Sequence, residues 1–462
     1  MPAKSIVRAL APRHPDRPFM EQVNIGMLGG GTVGSGVYHH WRCNGALMAA
    51  RLGLRLHLSR VAVKALDEPR PYEIPRAVLT TDWQAVVHDP QVRVVVELVG
   101  GTTVARTMVL EALRCGKPVV TANKALLSAH GEELFAAARR AGVNLYYEAS
   151  VAGGIPIIKT LREAFVGNRI THLYGIVNGT CNYILTRMKQ EGADFADVLA
   201  EAQRQGYAET PPDLDVDGHD ACHKTGILAS LAHGFWVRPE HIHVEGIRQV
   251  SKLDMQFAGQ LGYTIKLLGI VKELPAPGGG SRRARGPRLQ VSVYPALIPN
   301  THVLASVQGV FNAVFVRGDV VGDTLFYGRG AGKDATASAV LSDLADAALD
   351  LVHGSARRVP AFVAHENHGT VVPLGEVSSR YYVRLSVVDR PGVIAKISAI
   401  LGAARIGIAS IIQPEGHVGE VVPLILMIHD APNAVMDRAL ARIARLPVVK
   451  APPVRFRVES LE

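Results

Sequence analysis

The chain has 462 residues, an ordinary hydrophobic fraction of 48% and a formal net charge of +9 at pH 7. Since a single hydrophobic core stops growing at roughly 250 to 300 residues, this length predicts two or three domains. No uninterrupted apolar run approaches the roughly 20 residues that a membrane-spanning helix needs, so the sequence argues against a membrane protein.

The first 21 residues, MPAKSIVRALAPRHPDRPFME, contain basic residues and prolines but no apolar segment before a small-residue cleavage site. They predict a flexible tail rather than a secretory signal, and a transit segment is the weaker alternative because four prolines would interrupt an amphipathic helix. The cysteines have neither metal-binding nor disulfide spacing, which predicts reduced thiols in a cytoplasmic protein. They are Cys43, Cys115, Cys181 and Cys222.

An apolar strand at 22–28 is followed directly by GGGTVGSG and a helix-like segment. The glycines satisfy the G-x-G-x-x-G pattern in this setting, where they permit a tight turn and let a pyrophosphate approach the helix N-terminus. The motif predicts dinucleotide binding, with a purely structural glycine-rich turn as the alternative. The predicted cofactor contacts in this turn are Gly29, Gly31, Thr32, Val33 and Gly34.

Further apolar strands alternate with helical stretches beyond this turn. This alternation is typical of a parallel sheet covered on both faces, so a Rossmann-type nucleotide-binding domain in an α/β protein is predicted. The predicted strands are 58–64, 93–98, 117–122 and 144–150, and the helical stretches between the later strands include 103–115 and 128–141.

Two lysines follow strands of this domain. Lys64 ends the second strand, where an acid would favour NAD and a base accommodates the 2′-phosphate of NADP. NADP is therefore predicted, with NAD as the alternative because Asp67 can still reach a ribose. Lys124 follows the strand at 117–122 between apolar neighbours, which is as typical of a functional lysine as of a solvated cap.

The chain leaves the sheet after Glu148 and enters a second, α+β domain at 157–327. Two helices and several strands are predicted there. Gly179 and Thr180 of the VNGT segment begin the first helix, where they either offer N–H groups and a hydroxyl to a substrate carboxylate or only cap the helix.

The stretch GYAETPPDLDVDGHDACHK, at 206–224, collects five carboxylates. Asp220 and Lys224 are spaced i, i+4 on one face of a helix, and this face becomes apolar further along the helix. Such ion pairs usually lie on the protein surface, but the apolar face predicts that this pair is partly buried. Because Pro211 and Pro212 break a helix, the preceding carboxylates are expected to share a loop, and their repulsion is tolerable only if a cation visits. A substrate ammonium group fits this requirement, so the stretch predicts an amino-acid substrate.

The last part of the chain, 380–462, repeats the order β-α-β-β-α-β of a ferredoxin-like unit. With DRPGV at its first strand–helix turn, the unit resembles the ACT domain, a small amino-acid-sensing module. A dimerisation unit without a ligand is the alternative. Residues 356–379 are predicted to form a linker.

Six motifs, in the same order as in the family, resemble those of homoserine dehydrogenases. The resemblance implies reversible NAD(P)H-dependent reduction of L-aspartate 4-semialdehyde to L-homoserine, in threonine, methionine and isoleucine biosynthesis, with feedback by an amino acid such as threonine through the ACT domain. A non-catalytic amino-acid sensor on the same scaffold and a dehydrogenase for another small amino acid are the alternatives. The motifs are GGGTVG, VVTANKALL, YEASVAGGIPII, GIVNGTCNYIL, GYAE with DVDGHDACHK, and YGRGAGKDATASAV.

The resemblance also implies the roles of individual residues. Catalysis is assigned to Lys124, Asp220 and Lys224. The substrate contacts are Gly179, Thr180, Tyr207, Glu209 and Asp215. Further cofactor contacts are Gly100, Lys124 and Gly330, besides Lys64. A sodium-like cation is held by Glu148 and the carbonyls of Val151, Gly153 and Ile155.

The position of Gly330 implies that the NAD(P)-binding domain, 22–156, is completed by 328–355, so that 157–327 forms the substrate-binding and dimerisation domain. Basic residues cluster only at 281–288, in a Gly/Pro-rich stretch that is typical of an exposed loop. The predicted partners are therefore a small amino-acid substrate, an amino-acid effector at the ACT domain and further copies of the chain in a homodimer or homotetramer, without nucleic acid or a membrane.

Overall fold

The computed structural model describes residues 20–275, 286–356, 358–417 and 419–461. The predicted flexible tail, except for its last two residues, and most of the basic cluster lie outside the described residues. None of the helices in these ranges has the length and apolar character needed to span a bilayer. All four cysteines are free thiols.

The first unit is built on six parallel strands: β1 (Gln22–Leu28), β2 (Arg55–Ala62), β3 (Leu79–Thr80), β4 (Val94–Glu97), β5 (Val119–Thr121) and β6 (Leu145–Tyr146). They lie in the order β3-β2-β1-β4-β5-β6, so the direction of strand addition reverses between β1 and β4. Doubly wound sheets bind ligands at the carboxyl ends of the strands at such a reversal. The helices of this unit are α1 (Thr32–Leu52), α2 (Trp83–Val87), α3 (Val104–Arg114) and α4 (Lys124–Ala141).

The fold class of this unit is the predicted one. Nearly every residue of β4 and β5 is buried, because α1 covers one face of the sheet and α2, α3 and α4 cover the other.

The second unit combines a mixed sheet with helices that pack on it. After a short α5 (Ile157–Lys159), its main helices are α6 (Gly179–Glu191), α7 (Phe195–Arg204), α8 (Asp213–Val216), α9 (His219–His233) and α10 (Lys252–Gln260). Its strands are β7 (Ile170–Ile176), β8 (His243–Val244), β9 (Tyr263–Leu274), β10 (Arg288–Pro299), β11 (Phe311–Gly318) and β12 (Gly322–Arg329).

The chain then returns to the first unit. Helix α11 (Lys333–Val352) packs along α1 through a row of small and aliphatic side chains. Gly36 of α1 permits this approach, since a Cβ atom there would lie 2.9 Å from the carbonyl oxygen of Lys333. The part of the chain that returns to the first unit is the predicted segment 328–355. The domain boundaries themselves stay predictions.

The C-terminal unit has the predicted ferredoxin-like order of elements. Its four main strands lie in the order β17-β14-β16-β15, with β14 antiparallel to both of its neighbours. Its elements, with the short strand that precedes them, are β13 (Thr370–Val371), β14 (Ser378–Val388), α12 (Val393–Ala403), β15 (Ile408–Ile412), β16 (Val421–Pro432), α13 (Asn433–Ala444) and β17 (Val454–Val458).

The two later units share one sheet of eleven strands, and β10 is the strand that joins them. One edge of β10 pairs along its whole length with β9. Three short parallel strands from distant parts of the sequence share the other edge: β13 at Arg288–Leu289, β8 at Ser292–Val293 and β17 at Ala296–Leu297. The C-terminal unit is therefore hydrogen-bonded into the second unit rather than attached only by a linker.

Several local predictions differ from the structure. Strand β2 spans Arg55–Ala62 rather than 58–64, because its pairing with β1 ends at Ala62, so Lys64 follows the strand instead of ending it. Helix α4 begins at Lys124 rather than at 128, because the Asn123 side chain caps it. Strand β6 ends at Tyr146, where a 3₁₀ turn replaces the predicted continuation to 150. The acidic stretch contains the one-turn helix α8, which starts directly after Pro212, a position where proline does not remove a helical hydrogen bond.

Candidate active site

The glycine turn between β1 and α1 has three glycines with different surroundings. A Cβ atom at Gly29 would lie 2.5 Å from the Leu98 carbonyl oxygen, and one at Gly34 would lie 2.1 Å from the Gly29 carbonyl oxygen. At Gly31 it would meet nothing within 4 Å. The outer glycines thus close the turn against β4 and α1, while Gly31 exposes its backbone at the N-terminus of α1, where a pyrophosphate can bind.

A cavity of about 670 Å³ lies at the carboxyl ends of β1, β2 and β4. Its walls include the glycine turn, Lys64 and Gly100, whereas Thr32 and Val33 lie at the start of α1 beside it. Lys64 is exposed, two residues beyond the end of β2. Asp67, the alternative ribose ligand, forms an exposed ion pair with Arg76 at 2.7 Å. Glu68, rather than Asp67, is the acidic side chain that lines the cavity.

A buried carboxylate that the sequence analysis missed fixes the loop above this cavity. One carboxylate oxygen of Glu97 accepts the N–H groups of Val99 (2.8 Å) and Gly100 (3.1 Å), and the other accepts the Thr121 hydroxyl at 2.7 Å. The Asn123 amide donates to the Gly101 carbonyl at 2.7 Å. The cofactor loop and the start of α4 are therefore one hydrogen-bonded assembly, and an acid at the end of an apolar strand was the available signal.

Lys124, Asp220 and Lys224 meet where the first and second units touch. One carboxylate oxygen of Asp220 lies 3.0 Å from Lys124 Nζ, and the other lies 2.7 Å from Lys224 Nζ. Lys224 also donates to the Val177 carbonyl at 2.8 Å. The side chains of Asp220 and Lys224 are 6% and 9% exposed, and that of Lys124 is 35% exposed. The helix pair is thus buried rather than superficial, and Lys124 is the most exposed member of the group.

The charges of this triad stabilise each other. Burial alone would raise the pKa of Asp220, but Lys224 and Lys124 hold that pKa well below its usual range. Burial alone would lower the pKa of Lys124, but Asp220, with smaller contributions from Asp215 and Glu209, makes the net shift upward. At neutral pH the group consists of a carboxylate held between two lysines, with Lys124 protonated.

Asn178 connects the triad to the acidic stretch, and it was not singled out from the sequence. Its amide nitrogen donates to Asp215 (2.8 Å) and to Asp220 (2.9 Å), while its oxygen caps α6 by accepting the Cys181 N–H. The pKa of Asp215 is raised, mainly by burial, although the Asn178 hydrogen bond opposes the shift. A single buried amide therefore sets the separation of these two carboxylates.

The prediction that the acidic stretch needs a visiting cation is wrong for three of its five carboxylates. Asp213 and Asp217 need no visiting cation, because both pair with Arg248 at 2.5 Å. Asp220 pairs with the two lysines. Among the five carboxylates, only Glu209 and Asp215 form no ion pair within the described chain, and these are the two assigned to substrate binding.

The remaining substrate candidates border the same region. Gly179 is the first residue of α6, and a Cβ atom there would lie 2.8 Å from the Val310 carbonyl oxygen. The Thr180 hydroxyl donates to the Tyr207 carbonyl at 2.6 Å, so its proton is already used inside the protein. Tyr207 is 45% exposed, and its ring lies against that of Tyr183, with 4.9 Å between ring centroids.

The crossover between the units carries a buried carboxyl. Glu148 accepts the N–H groups of Ile158 (2.9 Å) and Lys159 (2.7 Å), and burial raises its pKa to about 7. The turn that follows places Ala152 and Gly153 at positive φ, 54° and 53°.

The returning segment lies directly on this crossover. A Cβ atom at Gly153 would lie 2.6 Å from the Gly330 carbonyl oxygen. On its other side, a Cβ atom at Gly330 would lie 1.9 Å from the Asn312 side-chain carbon. Gly330 is therefore enclosed between the crossover and β11, and only glycine fits there.

Two family models match the chain. The NAD-binding domain of homoserine dehydrogenase matches residues 29–148, and the model described as homoserine dehydrogenase matches 156–345. The homoserine dehydrogenase of Pseudomonas aeruginosa is 42% identical over 448 residues, which cover 96% of this chain and 100% of the relative. That of Corynebacterium glutamicum is 41% identical over 437 residues, with coverages of 95% and 96%.

Solved structures give the same result. The crystal structure of a homoserine dehydrogenase from Thiobacillus denitrificans matches with a TM-score of 0.87 at 42% identity, over 96% of this chain and 99% of the other. A hyperthermophilic archaeal homoserine dehydrogenase in complex with NADPH matches with a TM-score of 0.58 at 27% identity, over 71% of this chain and 98% of the other.

Proposed function

The chain belongs to the homoserine dehydrogenase family, and from this premise we propose how its residues carry out the NAD(P)-dependent interconversion of L-homoserine and L-aspartate 4-semialdehyde. The observation that supports the proposal best is the Asp220 carboxylate held between Lys124 of the first unit and Lys224 of the second. It places two ammonium groups where the nucleotide-binding cleft meets the acidic stretch.

In the reducing direction Lys224 gives a proton to the aldehyde oxygen as negative charge develops there, and Lys124 stabilises the same oxygen from the first unit. The glycine turn and Lys64 would hold a nicotinamide cofactor, which would supply the hydride that the aldehyde carbon needs to become homoserine. Asp220 orients both lysines. Glu209 and Asp215 bind the substrate ammonium group, and the N-terminus of α6, at Gly179 and Thr180, binds its carboxylate.

The direct test is homoserine oxidation by the full chain with NADP and with NAD, each with and without threonine. We expect turnover with at least one cofactor. A folded chain without turnover of homoserine would favour the non-catalytic amino-acid sensor, whereas turnover of another small amino acid in its place would favour the second enzyme alternative.

We propose NADP as the preferred cofactor, because exposed Lys64 lines the cavity and Asp67 is engaged with Arg76. Lys64→Asp should lower the ratio of kcat/KM with NADP to that with NAD by about tenfold, since a charge-assisted contact to the 2′-phosphate is replaced by repulsion.

Lys64→Met is the matched variant for this prediction. It removes the cation without adding an acid, so its ratio should lie between those of the wild type and Lys64→Asp. A wild type that already uses NAD better than NADP would contradict the prediction.

We propose that Gly330 closes the cofactor site from the returning segment. Gly330→Ala should displace the segment from Asn312 at a cost in folding stability of about 1 to 3 kcal/mol, the usual cost of inserting a methyl group into a packed site. It should also raise the Kd for NADPH, because the displaced segment no longer closes the cofactor site. NADPH titration by fluorescence measures this effect. Gly259→Ala, where a Cβ atom meets nothing within 4 Å, is the control and should leave the Kd unchanged; equal Kd values for both variants would contradict the role of Gly330.

A sodium-like cation at the crossover is a further proposal. Glu148 and Asp343 are neighbouring buried carboxyls, and the pKa of Asp343 is raised well above its usual range by burial and then by Glu148. A cation beside Glu148 would offset this cost, and the positive-φ turn supplies nearby carbonyls. Glu148 and the carbonyls of Val151, Gly153 and Ile155 would hold the ion, which would join the two units.

We also propose the domain roles given by the sequence: NAD(P) binding by 22–156 with 328–355, substrate binding and dimerisation by 157–327, and amino-acid sensing by 380–462 after a linker at 356–379. The ferredoxin-like strand order supports an ACT-type unit, with an effector such as threonine. A cytoplasmic homodimer or homotetramer completes this proposal.

A further inference from the structure

The C-terminal unit and the second unit are joined by a buried ion pair on the shared edge of β10. Arg457 of β17 is 1% exposed, and its guanidinium holds both carboxylate oxygens of Glu245, which follows β8, at 2.8 and 3.0 Å. Its Nε also donates to Asn433 Oδ1 at 2.7 Å. His243 at 2.7 Å and Arg455 at 3.6 Å complete the surroundings of the Glu245 carboxylate. Two-point contacts of this kind fix the direction of a carboxylate as well as its position.

The residues after Glu245 lie directly behind the acidic stretch. The Ile247 N–H donates to the Val216 carbonyl at 2.8 Å. A Cβ atom at Gly246 would lie 2.3 Å from that carbonyl oxygen and 2.5 Å from the Asp217 Cα, so the two backbones touch without an intervening side chain. Arg248 then holds Asp213 and Asp217. Segment 245–248 is thus the support on which helix α8 rests.

Helix α8 carries Asp215 into the site. The Asp215 carboxylate is bonded to Asn178, which is bonded in turn to Asp220. The contacts from Arg457 to this carboxylate are therefore continuous: the ion pair with Glu245, the backbone contact between segment 245–248 and helix α8, and one turn of that helix. A small displacement of segment 245–248 is transmitted to Asp215 because close-packed backbones have no room to absorb it.

We propose that Arg457 is a positioning residue for the substrate site: through Glu245 it fixes segment 245–248 against α8 and so sets the orientation of the Asp215 carboxylate. The C-terminal unit is then part of the amine-binding site and not only a regulatory attachment. The proposal rests on the amine-binding role proposed above for Asp215. It also gives an effector that moves β17 a direct route to homoserine affinity.

A second buried ion pair provides a matched comparison. Arg384 of β14 holds Asp254 at 2.7 and 3.0 Å, and the Asp254 side chain is fully buried. This pair also joins the C-terminal unit to the second unit, but it reaches α10. Helix α10 begins near the C-terminal end of α6, where a Cβ atom at Gly192 would lie 3.6 Å from Lys252. Loss of this pair should lower the stability of the protein without changing the orientation of the Asp215 carboxylate.

The test compares Arg457→Gln and Glu245→Gln with Arg384→Gln in the full chain, measuring Tm, kcat and the KM values for homoserine and NADP. Arg457→Gln and Glu245→Gln should raise the KM for homoserine by about 3- to 30-fold, the range of indirect coupling, and leave the KM for NADP and kcat within about twofold. Arg384→Gln should lower Tm similarly and leave the KM for homoserine within about twofold.

Arg457→Lys protects the test against a folding failure, because it keeps the charge and loses only the two-point contact; its KM for homoserine should lie between those of the wild type and Arg457→Gln. An unchanged KM for homoserine in the position 457 and 245 variants, or an equal rise in Arg384→Gln, would overturn the positioning role. Absence of homoserine turnover in the wild type would instead contradict the proposed function, so the two failures are distinguishable.

Discussion

Lys224→Ala should lower kcat for homoserine oxidation by about 100- to 1000-fold while NADPH binds with a nearly unchanged Kd. A preorganised group that stabilises developing charge typically contributes this much to turnover. The Lys224 ammonium is held by Asp220 and the Val177 carbonyl and does not line the cavity at the glycine turn, so the cofactor loses no contact. Steady-state kinetics and a fluorescence titration of NADPH measure the two quantities.

The matched control for this variant is Lys117→Ala. Lys117 is also a buried lysine that donates to a backbone carbonyl, that of Asp89 at 2.6 Å, but it lies at the amino ends of the strands. Its removal should cost stability and spare kcat. If the kcat of Lys224→Ala stayed within a few-fold of the wild type, the Asp220–Lys224 contact would be a structural ion pair without a catalytic role.

Asp220→Asn should lower kcat/KM by a similar factor of about 100 to 1000 and move the alkaline limb of its pH profile to lower pH. Asp220 is the group that makes the net pKa shift of Lys124 upward. Without its charge, burial lowers the pKa of Lys124, and only the smaller contributions of Asp215 and Glu209 oppose that shift. The protonated form of Lys124 is then lost at a lower pH, and the activity that depends on it falls there as well.

The comparison for this prediction is Asp350→Asn. Asp350 is a buried carboxylate of α11 that accepts the Tyr146 hydroxyl at 2.8 Å, remote from the two lysines. Its replacement should lower Tm without moving the alkaline limb. An alkaline limb that stays in place in Asp220→Asn would show that Lys124 does not govern it.

Local patterns explain what the sequence alone could predict. The strand, glycine turn and α1 follow from the apolar run at 22–28 and from glycines whose missing side chains the turn requires. The i, i+4 spacing predicted the contact between Asp220 and Lys224, because a helix brings such residues together wherever it lies. The β-α-β-β-α-β order of the C-terminal unit was likewise readable from alternating patterns.

The features of the site that could not be predicted from the sequence depend on tertiary contacts. Arg248 neutralises Asp213 and Asp217 from outside the acidic stretch, so an argument from local repulsion could not include it. Asn178 was not singled out, because its hydrogen bonds depend on Asp215 and Asp220, which come from another segment. Lys124 and Asp220 belong to different units, so their ion pair could not be predicted from local spacing. The family resemblance implied that both are catalytic, but it did not imply that they touch.

The shared edge of β10 also has a consequence for folding during synthesis, because its strand partners are synthesised at different times. Strand β17 follows β10 by about 150 residues, a delay of roughly 8 to 30 s at about 5 to 20 residues per second. Until then, part of that edge stays open, and Glu245 lies beside it without Arg457. An unpaired edge of this kind can pair with a strand of another chain. The synthesis of β17 therefore both brings Arg457 to Glu245, behind helix α8, and closes a part of the β10 edge that could otherwise pair with another chain.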